Sequence, residues 1–200
     1  VLHTDPQHAS RFDVLDWTLS SSLNQFLGGK NMQVLGVIEE AKTKVLNDAQ
    51  RCLERVQDIA KITFGTSSEA VRILQRLRSE VYEDLNQIQH EHLIICAAEW
   101  LLSWGICDLD TQWYWNPRQT GDATEPDLHG MQNEVIVVSA EITTSAKPEG
   151  SIDSRMRNTL AKLSQQSGQL FYFVQTEAMA NRAETKILKA GWSIQVAQLP

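Results

Sequence analysis

Residues 134–144 read Glu-Val-Ile-Val-Val-Ser-Ala-Glu-Ile-Thr-Thr, and this segment constrains the fold more than any other. Side chains along a strand alternate between faces. Ile136, Val138, Ala140 and Ile142 therefore share one face, and Val135, Val137, Ser139, Glu141 and Thr143 share the other. The first face is apolar throughout, and the second is apolar until its end. A strand apolar on both sides is central and covered by other layers. Glu141 then sits where a core meets its edge, and an ionised carboxylate there is costly unless it is paired or bound to a metal.

Further strand-like runs fall at 111–115, 170–175 and 192–199, with helical segments at about 153–166 and 177–190. Residues 93–104 are apolar nearly all round, with Glu99 the one charge inside them. A helix of that kind is buried, and Gly105 ends it. Residues 118–124 form a polar loop. Upstream the periodicity is helical. Phe12, Leu15, Leu19, Leu23 and Phe26 mark one helix, with Gly28-Gly29 as its stop. Residues 32–62 predict a second, about 45 Å long, in which Ile38, Val45, Ala49, Cys52, Val56 and Ile59 make the narrow seam of a coiled coil. Phe64-Gly65-Thr66 breaks it, Ser67 or Ser68 caps the next helix, and Val71, Leu74, Leu77, Val81, Leu85 and Ile88 carry the same period onward. The expected chain is α/β (of the α+β kind), with a mixed central sheet preceded by a helical hairpin. The expected division is a helical arm over 1–88 and a second domain over 89–200, with a boundary near 86–92 that can lie inside one continuous helix. Such a seam packs on its own partner helix; a sharper reading is that the arm also forms a dimer or docks another protein.

Composition narrows the function classes. The chain is 42% apolar and 22% charged, as ordinary globular proteins are. No apolar run reaches the roughly 18 residues of a membrane helix, and the first ten residues lack the layout of a secretory signal. Cys52, Cys96 and Cys107 have no metal-type spacing, so a reducing, cytoplasmic setting is expected. A net charge of −7 argues against a protein that coats nucleic acid by charge alone. It leaves room for an enzyme that gathers carboxylates around a metal and keeps a local basic surface for phosphates. Gly28-Gly29-Lys30 lacks the spacing of a phosphate loop. His90 and His92 diverge on a helix, which disfavours zinc. Trp100, Trp104, Trp113 and Trp115 could stack on bases, but core packing accounts for them better.

Just before the central strand stands Glu125-Pro126-Asp127-Leu128-His129-Gly130. A short strand at 126–129, returning into the next through a turn at 131–133, brings Asp127 alongside Glu141. Two neighbouring carboxylates with positions left for water suit a hard cation such as Mg²⁺, which polarises a phosphodiester and lowers the pKa of a bound water. Pro126-Asp127, thirteen intervening positions, then Glu141-Ile142-Thr143 resembles the motif of the PD-(D/E)xK nucleases, a superfamily that includes many type II restriction endonucleases and Holliday-junction resolvases. The element order from about residue 89 also resembles the restriction-endonuclease-like αβββαβ core, so the resemblance covers a little over half the chain.

The resemblance implies an endodeoxyribonuclease dependent on Mg²⁺ or Mn²⁺, of restriction type, acting on DNA as a homodimer held by the N-terminal helices. It implies metal ligation by Asp127 and Glu141, with Glu99 assisting from the preceding helix. The family's lysine belongs two residues after Glu141, where this chain has Thr143. Lys162, or Thr143 with a water, is the expected substitute, Lys162 coming from a helix on which Arg155, Asn158 and Lys162 fall near one face; Lys147 lies in a loop between. Arg155, Asn158 and His129 are the expected substrate contacts. The missing lysine keeps a second expectation open: a nuclease-fold module that binds DNA or protein and does not cut.

Overall fold

The computed structural model describes residues 32–116 and 124–200. The helix expected at 12–26, the Gly28-Gly29-Lys30 segment and most of the polar loop at 118–124 lie outside these. The elements are β1 (Gln33–Val34), α1 (Ile38–Ala60), α2 (Ser67–Ser103), β2 (Gln112–Trp115), β3 (Leu128–Gln132), β4 (Val135–Ile142), α3 (Ser151–Leu163), β5 (Gln169–Val174), α4 (Glu177–Ala190) and β6 (Ile194–Gln198). The described residues thus form a mixed α/β fold of four helices and one six-stranded sheet. Strands stand in sequence order, antiparallel from β1 to β4 and parallel from β4 to β6.

Local chemistry sets the helix ends. Thr66, rather than Ser67 or Ser68, caps α2. Its hydroxyl accepts from the Glu69 N–H, while the Glu69 carboxylate accepts from the Thr66 N–H, a reciprocal box that satisfies two otherwise orphaned donors. Thr176 caps α4 with its hydroxyl alone, which accepts from the Met179 N–H, and Gly191 closes it with φ +69°, a left-handed position that suits glycine.

The second half of α2 covers one face of the sheet. Leu93, Ile94, Ala97 and Leu101 pack with Trp113, Trp115, Leu128, Val138, Ala140, Phe171 and Phe173. On the opposite face α3 and α4 bury Met156, Leu160, Leu163, Met179, Ala183 and Ile187 against Tyr172, Val174 and Ile194. β4 is therefore covered on both sides. Trp100 packs edge-on to Phe171 and Phe173, at 5.9 and 5.5 Å, whereas Trp104 is exposed.

Three details depart from the sequence reading. The helix expected from residue 32 begins at Ile38: residues 33–34 form an edge strand on β2, and Gly36 turns the chain with φ +73°. The hairpin seam on α2 runs through Ile73, Leu77, Val81 and Ile88, against Cys52, Val56 and Ile59; Val71, Leu74 and Leu85 are exposed beside it. The pairing of β3 with β4 shifts register after Gly130, with Val138 opposite Gly130 and Ile136 opposite Met131. That bulge sends Ile136 away from Val138 and into a cluster with Met32, Tyr114 and Met131, since one extra residue reverses strict alternation. Residues 88 and 89 lie inside α2, and Leu35, Ala41 and Val45 from the arm share the sheet's core. Among the described residues no helix is long and apolar enough to cross a membrane.

Candidate active site at the ends of the central strands

β-sheet register assembles the site. Leu128 pairs with Ala140, so Asp127, one residue earlier on an antiparallel partner, stands opposite Glu141. Glu141 in turn pairs with Tyr172 on β5. On the far side, the Asn116 N–H donates to the Asp127 carbonyl at 2.9 Å. Asn116, Asp127, Glu141 and Tyr172 thus form one row across four strands, just beyond the last fully apolar row of Trp115, Leu128, Ala140 and Phe171.

Both carboxylates are buried, Asp127 at 0% and Glu141 at 5% exposure. The Ile142 N–H donates to Asp127 Oδ2 at 2.7 Å, and His90 Nε2 stands 3.3 Å from the same oxygen. A carboxylate that accepts a backbone donor beside an imidazole is a satisfied buried charge. Burial pushes the Tyr172 phenol above its ordinary range; a hydrogen bond with Thr143 opposes this, and the nearby Glu141 and Asp127 carboxylates add to the rise.

Glu141 opens onto a cleft of about 300 Å³ at the carboxyl ends of β4 and β5, the end of parallel strands where ligands of open α/β sheets bind. α2 contributes Glu83, Asn86, Gln87 and His90 to its wall. The segment after β4 contributes Thr143, Thr144 and Ser145, and α3 contributes Ile152, Arg155, Met156 and Thr159. Thr143 is anchored through its N–H to the Phe173 carbonyl at 3.0 Å, and its hydroxyl accepts from the Ser145 N–H at 3.2 Å.

The other expected site residues separate. Glu99 does not line the cleft. It pairs with Lys42 of α1 at 2.5 Å, nine residues and so about 13 Å along α2 from His90. Asn158 is exposed and off the cleft wall; Thr159 takes that place, because the inward stripe of α3 is 152, 155, 156 and 159. Lys162 is exposed in the last turn of α3, one turn past Thr159, and Lys147 is exposed in the loop before α3. Arg155 lines the cleft as expected and also donates to Ser151 Oγ at 3.2 Å.

His129 is on the same sheet face as Asp127 but inside the layer, not in the cleft. Ser139 Oγ donates its one hydrogen to the Ser167 carbonyl at 2.6 Å and lies 2.9 Å from His129 Nδ1. Nδ1 therefore carries the proton and donates to Oγ. Burial pushes the His129 pKa down to about 4, a hydrogen bond with the Val138 backbone opposing it. Because the folded value lies below the ordinary one, His129 favours the folded state fully above about pH 6.5, and that contribution is lost as pH falls toward 4. The difference amounts to about 3 kcal/mol. Urea unfolding between pH 7 and 4 should show this loss in the parent and a flatter profile in His129→Gln; parallel profiles would refute the assignment.

Sequence reasoning weighed His90 only as a zinc ligand and passed over Asn116. His90 sits off the hairpin seam, and only the packing of α2 across the sheet end brings it to Asp127. Asn116 is buried, and neither atom of its side-chain amide has a hydrogen-bond partner among the described residues. A buried amide left unbonded is costly and marks a position where an incoming polar group is favoured. His92 faces Cys96 instead, so the two histidines do diverge. Set beside protein-family models, curated proteins and solved structures, the chain matches none.

Proposed function

We propose that the chain is a Mg²⁺- or Mn²⁺-dependent endodeoxyribonuclease of the PD-(D/E)xK type, restriction-endonuclease-like in its αβββαβ core. The observation that carries this reading is that Asp127, buried behind the wall, stands opposite Glu141, which lines a polar cleft. Among the described residues no three His, Cys, Asp or Glu side chains converge as a metal cluster. Two carboxylates nevertheless fit this cation, which takes one or two protein carboxylates and completes its shell with water and substrate phosphate. Glu141 and Asp127 would hold it, and when bound it supplies Lewis acidity toward a phosphodiester and lowers the pKa of a water.

The remaining chemistry belongs to the chain's own side chains. Asp127 is fully buried and is held by the Ile142 N–H and beside His90. Thr143, at the position of the family's lysine, offers a hydroxyl for orienting water. Arg155 at the wall supplies positive charge toward phosphate oxygens, a contribution that grows as charge develops in the transition state. The Asn116 amide adds a buried polar group to the same row.

A second reading, a non-cutting module that binds DNA or protein, is favoured by Thr143 and by Arg155 being the one Lys or Arg lining the cleft among the described residues. Purified protein incubated with assorted plasmid DNA and Mg²⁺ or Mn²⁺, beside Asp127→Ala, separates the two. The nuclease reading expects cutting by the parent alone. No cutting across a broad panel, or equal cutting by the variant, leaves the binding module.

The homodimer belongs to the nuclease reading, since a duplex target with two-fold symmetry calls for two sites. Its support is an apolar stripe on the hairpin: Leu46 and Leu53 on α1, and Val71, Leu74, Tyr82 and Leu85 on α2, all exposed. The four on α2 lie within roughly 80° of arc. Solution mass at high concentration should give twice the chain mass, and a pure monomer would count against the dimer.

A further inference from the structure

The sequence has 18 Lys and Arg against 25 Asp and Glu, yet one cleft is walled by cations without a carboxylate. Arg157 from α3 and Arg182, Lys186 and Lys189 from α4 line it, with Trp192 at its side. Its volume is about 330 Å³, at the small end of ligand sites. Steps of four and three place the three α4 cations on one helical face. Arg155 and Arg157 are about 200° apart around α3, so this cleft lies on the flank of α3 opposite the Glu141 cleft.

Ordinary structural roles explain part of the arrangement. Asp153 accepts from Arg182 Nε at 2.6 Å, Arg182 Nη2 at 3.1 Å and Lys186 Nζ at 3.0 Å, which ties α3 to α4. Lys189 stands in the last turn of α4, where a cation suits the helix dipole. One carboxylate among four cations leaves the group strongly positive. Arg157 and Lys189 have no acidic partner among the described residues. Gathering like charges in one cleft raises the energy of the empty site and lowers that of an anion-filled one.

We propose that this cleft binds the phosphate groups of a nucleotide, with Trp192 as the wall against its base. Guanidinium groups match phosphate oxygens in a forked geometry, and an indole offers a stacking face. The small volume and the convergence of four cations favour a compact cluster of negative charge over an extended backbone. That cluster is either a free nucleoside triphosphate or the 5′-phosphate end of a strand. The site needs neither Asp127 nor Glu141, so it stands or falls apart from the nuclease reading.

The full chain is titrated in EDTA, at about 50 mM salt to limit screening, with ATP, pyrophosphate, and a short single-stranded oligonucleotide with or without a 5′-phosphate. EDTA prevents cutting, so failure here leaves the nuclease reading untouched. ATP or the 5′-phosphorylated strand is expected to saturate one site. Arg157→Glu and Lys189→Glu should each weaken it by about tenfold or more, whereas Arg72→Glu, the same charge change on exposed α2, should leave it nearly unchanged. Preference for ATP identifies a free nucleotide, and preference for the 5′-phosphorylated strand identifies a strand end; either supports the site. Arg157→Gln and Lys189→Gln repeat the test without charge reversal should a reversed variant fold poorly. The site is overturned if no probe saturates, if Arg72→Glu weakens binding as much, or if oligonucleotides bind regardless of their 5′-phosphate while ATP does not.

Discussion

Glu141→Gln is expected to lower Mg²⁺-dependent DNA cleavage by roughly a thousandfold, the scale of losing a preorganised electrostatic group. The amide keeps the size of the carboxylate but removes its charge, so it cannot hold a divalent cation as Asp127 and Glu141 together would. The fold should tolerate it. Glu141 lies at the cleft wall, and its row neighbour Tyr172 is packed from the other side by α3 and α4. Its melting temperature should shift by only a few degrees. Asp127→Ala is a blunter probe, because it also leaves the buried Ile142 N–H without its acceptor, at a cost of about 1–3 kcal/mol. Cleavage by Glu141→Gln within tenfold of the parent would remove Glu141 from the chemistry.

Gly168→Ala should be the most damaging small substitution for stability. Gly168 has φ +79°, and a Cβ there would stand 2.6 Å from the Val137 carbonyl carbon and 2.7 Å from its oxygen. The left-handed conformation alone costs an alanine about 1–2 kcal/mol. The obstacle is backbone of the central strand, at the bulge, and a side-chain rotation cannot relieve it. A loss of about 3 kcal/mol or more is expected, lowering the melting temperature by about 6–12 °C. Gly191 provides the comparison. It has φ +69° with nothing within 4 Å of a built Cβ, so Gly191→Ala should cost only the conformational part. Equal melting temperatures for the two variants would show that the approach to Val137 relaxes without cost.

Legibility in the sequence followed the range of the interactions. α4 was readable to the residue because its limits are local: a threonine cap before it and a glycine in the left-handed position after it. β4 was readable from its apolar run, and the Asp127–Glu141 pairing followed from a turn and a short return strand. What was not readable depends on distant partners. Lys42 reaches Glu99 from another helix, so a charge that looked stranded in an apolar helix is an ordinary ion pair. His90 carries no local sign of its approach to Asp127. β1 gains its identity only by pairing with β2, although Gly36 could have signalled the break. The bulge at Val137 leaves the alternating pattern looking intact while turning Ile136 to the other face.

The 37 residues of α2 form one rod about 55 Å long, clamped into the core by Leu93, Ile94, Ala97 and Leu101. Mechanically this is a lever with its fulcrum beside the cleft. Ser67 lies about 39 Å from Leu93 and His90 only about 4.5 Å. A sideways displacement of the hairpin tip by about 9 Å would therefore carry His90 by about 1 Å, if the rod pivots as a rigid body. On that geometry the imidazole beside Asp127 would stay nearly stationary even for a large excursion of the tip, because the two sit at very different radii from the same pivot.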